Sequence, residues 1–140
     1  EPLGQFEEVP VCGPSLMRLC GQTLTLADLA AYPFISLGHE TASYAFASNL
    51  FTENGVAFSP DIEVATSDQI LPLVRQDLGV AFLPEAFAAP ALQAKEIGRL
   101  TLTESIPPRQ LLMARRSGQA LSIAAKALET MITHPPRKTP

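Results

Sequence analysis

Residues 62–84 read Ile-Glu-Val-Ala-Thr-Ser-Asp-Gln-Ile-Leu-Pro-Leu-Val-Arg-Gln-Asp-Leu-Gly-Val-Ala-Phe-Leu-Pro, and no other stretch narrows the fold so far. A β-rich run over 62–65 meets a polar turn, Thr66-Ser67-Asp68. Apolar Ile70, Leu71, Val74 and Leu78 follow at helical spacing as a buried face, then Gly79 as a stop, then a second apolar run closed by Pro84. A strand–helix–strand unit this short belongs in a parallel sheet, with a right-handed crossover. Ser67 is the expected helix cap. Pro72, about five residues into the helix, predicts a slight kink or a late start. The turn lies where strand feeds helix, the edge at which open α/β sheets bind ligands.

The flanking residues extend the same pattern. Residues 5–12, with Phe6, Val9 and Val11, predict a strand that Gly13-Pro14-Ser15 breaks. Thr25 caps a single helical turn with Asp28 at its third position, and Tyr32-Pro33 ends it. Phe34-Ile35-Ser36-Leu37, bounded by Pro33 and Gly38, fits a buried strand. Ala42, Phe46, Leu50 and Phe51 predict a helix over 41–54, capped by Thr41 or Ser43 and stopped at Gly55. The order strand, polar loop, helix start therefore occurs twice, at Gly38–Thr41 and at Thr66-Ser67. Residues 85–89 suit one more turn before Pro90. Residues 97–102 alternate as a half-buried or edge strand, and 110–114 form another. Leu121, Ala124, Ala125, Leu128, Met131 and Ile132 predict an amphipathic helix over 119–133, with Ser117 near its cap. The tail 134–140 is expected to be flexible.

Composition restricts function. Hydrophobic residues make up 46% and charged residues 17% of the 140 positions, which suits a chain with a packed core. The net charge is -4, without the clustered Lys and Arg of a nucleic-acid surface. Apolar runs are too short to span a membrane. The opening Glu1-Pro2-Leu3-Gly4 lacks an initiator Met and a signal-like segment, and reads as excision from a longer protein rather than cleavage after a signal. Cys12 and Cys20 have no His at zinc-ligand spacing, so they read as free thiols or as a disulfide.

Catalytic patterns find little material. There is no Gly-x-Ser-x-Gly elbow, and the eight glycines are too dispersed for a dinucleotide or P-loop fingerprint. Asp61 and Glu63 share one strand face, which reads as solvated rather than as a catalytic pair. His39 is either a surface-loop residue or a ligand contact. Thr66 and Ser67 either cap a helix only, or also present its N–H groups to an anionic or polar ligand. Arg75 and Arg99 read as solvated surface charges.

Three segments together resemble the LysR-type transcriptional regulators. Leu26-Ala-Asp-Leu-Ala-Ala-Tyr-Pro-Phe-Ile35 resembles that family's L-x-D-L-x-x-x-P-hydrophobic-I segment. Leu71-Pro-Leu-Val-Arg-Gln-Asp-Leu-Gly-Val-Ala-Phe-Leu-Pro84 is similar to its V-x-x-G-x-G-hydrophobic-A-hydrophobic-hydrophobic-P signature. Pro108-Arg109-Gln-Leu-Leu followed by a terminal helix is similar to its closing strand and helix. The likeness runs from about residue 6 to residue 132, and order and spacing make it specific. One departure stands out: Gln76 or Asp77 occupies a place where the family often has glycine, which bears on the helix end more than on a pocket.

The resemblance implies an α/β fold: a Rossmann-like lobe of a type 2 periplasmic-binding-protein-like architecture, with an incomplete first lobe. Residues 1–15 would be a crossover strand and hinge, 16–106 the second effector-binding lobe, and 107–133 the return strand and C-terminal helix of the first lobe. It implies a ligand-sensing part that binds a small polar or anionic metabolite between two lobes. The site would take Gly38, His39 and Thr41 from one loop, Ala65, Thr66 and Ser67 from the turn, and Phe82, Leu83 and Pro84 from a strand end. No catalytic residue, metal or cofactor is implied. The family's partners would be a small-molecule effector and further copies of the chain, as homodimer or homotetramer. DNA would be contacted only through an N-terminal winged helix-turn-helix without counterpart in these residues, and the setting would be cytoplasmic. A solute-binding protein of a transport system shares this fold and is the alternative. A small α/β enzyme, revealed by turnover lost on Thr66→Ala or His39→Ala, is the third reading.

Overall fold

A computed structural model describes residues 1–134; the expected flexible tail, apart from His134, lies outside the described residues. In chain order the elements are β1 (Pro2–Phe6), β2 (Glu8–Cys12), a 3-10 helix (Pro14–Leu19), β3 (Thr23–Leu24), α1 (Leu26–Leu29), β4 (Phe34–Leu37), α2 (Ala42–Glu53) and β5 (Ile62–Val64). A 3-10 turn (Ser67–Gln69) then leads into α3 (Ile70–Arg75), followed by β6 (Val80–Pro84), α4 (Glu85–Gln93), β7 (Gly98–Arg99), β8 (Thr101–Leu102), β9 (Arg109–Leu112) and α5 (Ile123–Thr133). The chain divides into two units, Glu7–Pro108 and the pair Glu1–Phe6 with Arg109–Pro140.

The larger unit is built on a five-stranded sheet of order β5-β4-β6-β2-β7. β4 pairs in parallel with both β5 and β6, as residues 62–84 require, and β2 runs antiparallel to β6 and β7. Side chains alternate across the sheet, as the period of two dictates. Phe34, Val80 and Phe82 face a core with Leu50 and Phe51 of α2. Ile35, Leu37, Ala81 and Leu83 face the opposite core, with Ile70 and Val74 of α3 and Ala88 and Ala91 of α4. The result is three layers, helices on both faces of one sheet. Phe34 is a hub of the first core: its ring meets Phe51, Phe58 and Phe82 edge-on, with centroids 5.7, 5.3 and 5.5 Å away.

Local chemistry explains several boundaries. Thr25 and Asp28 form the expected capping box: the Asp28 carboxylate accepts from the Thr25 N–H at 2.8 Å, and the Asp28 N–H donates to the Thr25 hydroxyl at 3.1 Å. Glu104 adds a second carboxylate, accepting from the Leu26 N–H at 3.0 Å. Thr41, rather than Ser43, caps α2 by accepting from the Tyr44 N–H at 3.1 Å. Gly55 follows α2 at φ 73°, where a side chain would be strained. At Gly79 the constraint is space: an added Cβ would lie 2.5 Å from the Pro33 carbonyl oxygen.

Other boundaries differ from the expectation. The single strand expected over 5–12 is two strands, because Pro2–Phe6 pairs with Arg109–Leu112 while Glu8–Cys12 pairs with Val80–Pro84. Thr66 is the cap position in place of Ser67, and Pro72 goes with a late start, since a 3-10 turn precedes the α-helical turns. Leu78, expected on the buried face, is exposed, because the helix ends at Arg75 and Asp77 turns the chain at φ 59°. α4 continues through Pro90, drawn on by burial of Ala88 and Ala91; the carbonyl that loses its partner belongs to exposed Ala86. The strand expected over 97–102 splits into β7, an edge of the main sheet, and β8, which pairs with β3. Arg75 and Arg99 form surface ion pairs with Glu96 (2.6 Å) and Glu85 (2.8 Å).

In the smaller unit β1 and β9 form an antiparallel ribbon, and the Arg109 guanidinium lies 5.2 Å from the centre of the Phe6 ring. α5 starts later than expected, at Ile123, because Ser122 is the cap and accepts from the Ala125 N–H at 3.2 Å. Its apolar residues are uncovered: Ile123 is 90% exposed, and Leu128 and Met131 are more than half exposed.

Candidate functional site

The connections of the larger sheet reverse direction between two strands. From β4 the chain passes through α2 to β5 on one side, then through α3 to β6 on the other side of β4. The crevice at the carboxyl ends of β4 and β6 is thus a topological switch point, the place where open α/β sheets hold ligands. A pocket partly open to solvent, with a cavity volume of about 40 Å³, lies there.

Each wall follows from the local fold. β4 contributes Ser36 and Leu37, and β6 contributes Phe82, Leu83 and Pro84. The start of α2 adds Ser43, Phe46 and Ala47, the turn before α3 adds Ser67, and the first residue of α3 adds Ile70. Glu8 enters from the first position of β2, which is in register with Pro84. The pocket therefore has an aromatic and aliphatic body with hydroxyls from three serines and one carboxylate. Glu8 and Ser36 are each only 6% exposed, unusual for polar groups in sheet strands. Among the described residues lining the pocket there is no Lys, Arg or His.

Of the nine expected site residues, Ser67, Phe82, Leu83 and Pro84 line this pocket. The other five lie nearby in sequence and serve turns and caps. The Gly38 carbonyl accepts from the Thr41 N–H at 3.0 Å and from its hydroxyl at 2.8 Å. His39 is exposed, with Nδ1 3.6 Å from the Glu40 carboxylate. The Ala65 and Thr66 N–H groups both donate to the Gln69 side-chain oxygen, at 3.0 and 3.2 Å. Pattern reading passed over Glu8, Ser36, Ser43 and Phe46. For Ser36 a signal existed: it interrupts an apolar strand, and a polar residue in a buried strand is itself informative.

The described residues contain no cluster of three or more His, Cys, Asp or Glu able to hold a metal, and no helix long and apolar enough to cross a membrane. No curated protein sequence matches the chain. Solved structures do. The effector-binding domain of QuiR in complex with shikimate aligns with TM-score 0.78 at 22% identity, over 94% of this chain and 62% of that one. The CcmR regulatory domain of Synechocystis PCC6803 in complex with 2-PG aligns with TM-score 0.80 at 17% identity, over 95% and 64%. The effector domain of the transcriptional regulator AmpR of Pseudomonas aeruginosa gives 0.65 at 22%, over 95% and 61%. The chain thus spans somewhat over three-fifths of these proteins, and its α/β fold is the type 2 periplasmic-binding-protein-like one. The LysR substrate binding domain model matches residues 1–134. The chain belongs to the LysR substrate-binding-domain family.

Proposed function

We propose that this chain is the ligand-sensing part of a LysR-type transcriptional regulator, and that its effector binds in the pocket at the ends of β4 and β6. The observation that carries the reading is the pocket's position at the switch point of the sheet, with buried Ser36 and Glu8 in its wall. The effector is a small polar metabolite. Its hydroxyl or amine groups pair with Ser36, Ser43, Ser67 and the Glu8 carboxylate, and its apolar body rests on Phe46 and Phe82. An anionic group has its place at the first turn of α2, where N–H groups and the helix dipole favour negative charge. Gly38, His39, Thr41, Ala65 and Thr66 shape the two loops that border the pocket.

In this reading the protein senses and does not catalyse, works in the cytoplasm, reaches DNA through another domain, and acts as a homodimer or homotetramer. The uncovered face of α5 supports self-association, since contiguous exposed apolar surface favours it. A screen of small hydroxylated acids, polyols and amines, starting with shikimate, tests the site by thermal unfolding. At least one compound should raise the melting temperature, and Ser67→Trp should abolish that rise. A rise unchanged by Ser67→Trp would place the effector elsewhere.

A further inference from the structure

The sulfurs of Cys12 and Cys20 lie 3.9 Å apart in the larger unit, and neither cysteine lines the pocket. Cys12 ends β2 and is fully buried; Cys20 follows the 3-10 helix Pro14–Leu19 and is half-buried, with exposed Gly21 next to it. β7 is shaped around the pair. A Cβ on Gly98 would lie 2.4 Å from the Cys20 sulfur and 3.1 Å from the Cys12 sulfur, so a side chain there would displace one or both. Glycine weakens a strand interior, and here its absence of a side chain makes the room in which two sulfurs meet. No third ligand makes this a metal site among the described residues.

We propose that Cys12 and Cys20 form a peroxide-reactive dithiol that closes to an intramolecular disulfide, with hydrogen peroxide as the oxidant. Cys20 is the attacking sulfur because it has access to solvent. Burial, and then the neighbouring Cys20, push the Cys12 thiol up to about 12, which keeps it protonated through the first step. The Cys20 thiolate bonds to one peroxide oxygen, the O–O bond breaks, and the released hydroxide takes a proton to leave as water. The Cys12 sulfur then attacks the sulfur of the Cys20 sulfenic acid. The S–S bond forms, the S–O bond breaks, and the Cys12 proton leaves with the hydroxide as a second water. Two thiols have given up two electrons to one peroxide. Closure brings the sulfurs from 3.9 Å to about 2.05 Å, a movement the end of a short 3-10 helix beside Gly21 can absorb.

Mass spectrometry on the 140-residue chain tests this. The folded protein is treated with hydrogen peroxide, quenched, unfolded and alkylated with iodoacetamide. The expected product is a monomer about 2 Da lighter than the reduced chain, with neither cysteine alkylated, and restored to two alkylatable thiols by dithiothreitol. In Cys12→Ser, Cys20 should stop at a sulfenic acid trapped by dimedone. In Cys20→Ser, Cys12 should remain a thiol. Two alkylated cysteines after treatment, oxygen additions without the mass loss, or a disulfide-linked dimer would each overturn the proposal; the wild-type measurement decides even if a variant fails to fold.

Discussion

Phe34 and Ser36 are neighbours on one face of β4 with opposite tasks. Phe34 anchors the aromatic core beneath the pocket; Ser36 supplies a hydroxyl to its wall. Phe34→Ala should cost about 3–5 kcal/mol, read from urea unfolding, because its ring contacts leave a cavity between sheet and α2. Ser36→Ala removes a single hydroxyl and should leave the midpoint close to wild type while weakening ligand binding. Two carboxylates carry the pH response of α1. The Thr25 N–H, then its hydroxyl, hold Asp28 below its usual value. At Glu104 burial opposes ionisation, but the Leu26 N–H and the Thr103 hydroxyl outweigh it and the net shift is also downward. Groups depressed in the folded state contribute stability above their unfolded values, near pH 4, and lose it as pH falls through the folded ones. Asp28→Asn with Glu104→Gln should therefore lower stability at pH 7 and flatten its decline between pH 5 and 3. An acid limb as steep as wild type would contradict this.

Glycines and prolines set the element boundaries, and their effects differ in legibility. Gly79 reads from sequence as a helix stop, yet its harder constraint is the approach of the Pro33 carbonyl, which no local pattern displays. Gly79→Ala is predicted to destabilise by about 1–3 kcal/mol, more than the small change expected of Gly21→Ala, which meets nothing within 4 Å. The Thr25–Asp28 box, β4, α2 and the β5–α3–β6 unit were legible because caps and periodicity are local. The division between β1 and β2 was not, since partner strands far along the chain decide it. For the same reason Glu8 escaped sequence reasoning: its place in the pocket comes from the antiparallel register of β2 with β6. α5 shows the limit of an amphipathic pattern. Periodicity found the helix but not whether anything covers it. Leu128→Lys should change stability by less than about 0.5 kcal/mol, where the same change at buried Leu50 should prevent folding.

At the scale of the molecule, the sheet order β5-β4-β6 matters more than any single side chain, because it opens the crevice in which a ligand can sit. The sequence motifs led to the family through the segment that builds this reversal, residues 62–84, and the same segment contributes Ser67, Phe82, Leu83 and Pro84 to the pocket lining. Self-association belongs to this scale too: sedimentation should show concentration-dependent association that Leu128→Lys with Met131→Lys reduces, and a wild-type monomer at all concentrations would contradict it. Effector binding at the ends of β4 and β6 can be read residue by residue in an NMR titration of the labelled chain with the compound that best raises its melting temperature. Saturable shifts should concentrate on the amides of Ser36, Leu37, Ser43, Phe46, Ser67, Phe82 and Leu83. Saturable shifts that leave these amides unmoved and cluster elsewhere would contradict it.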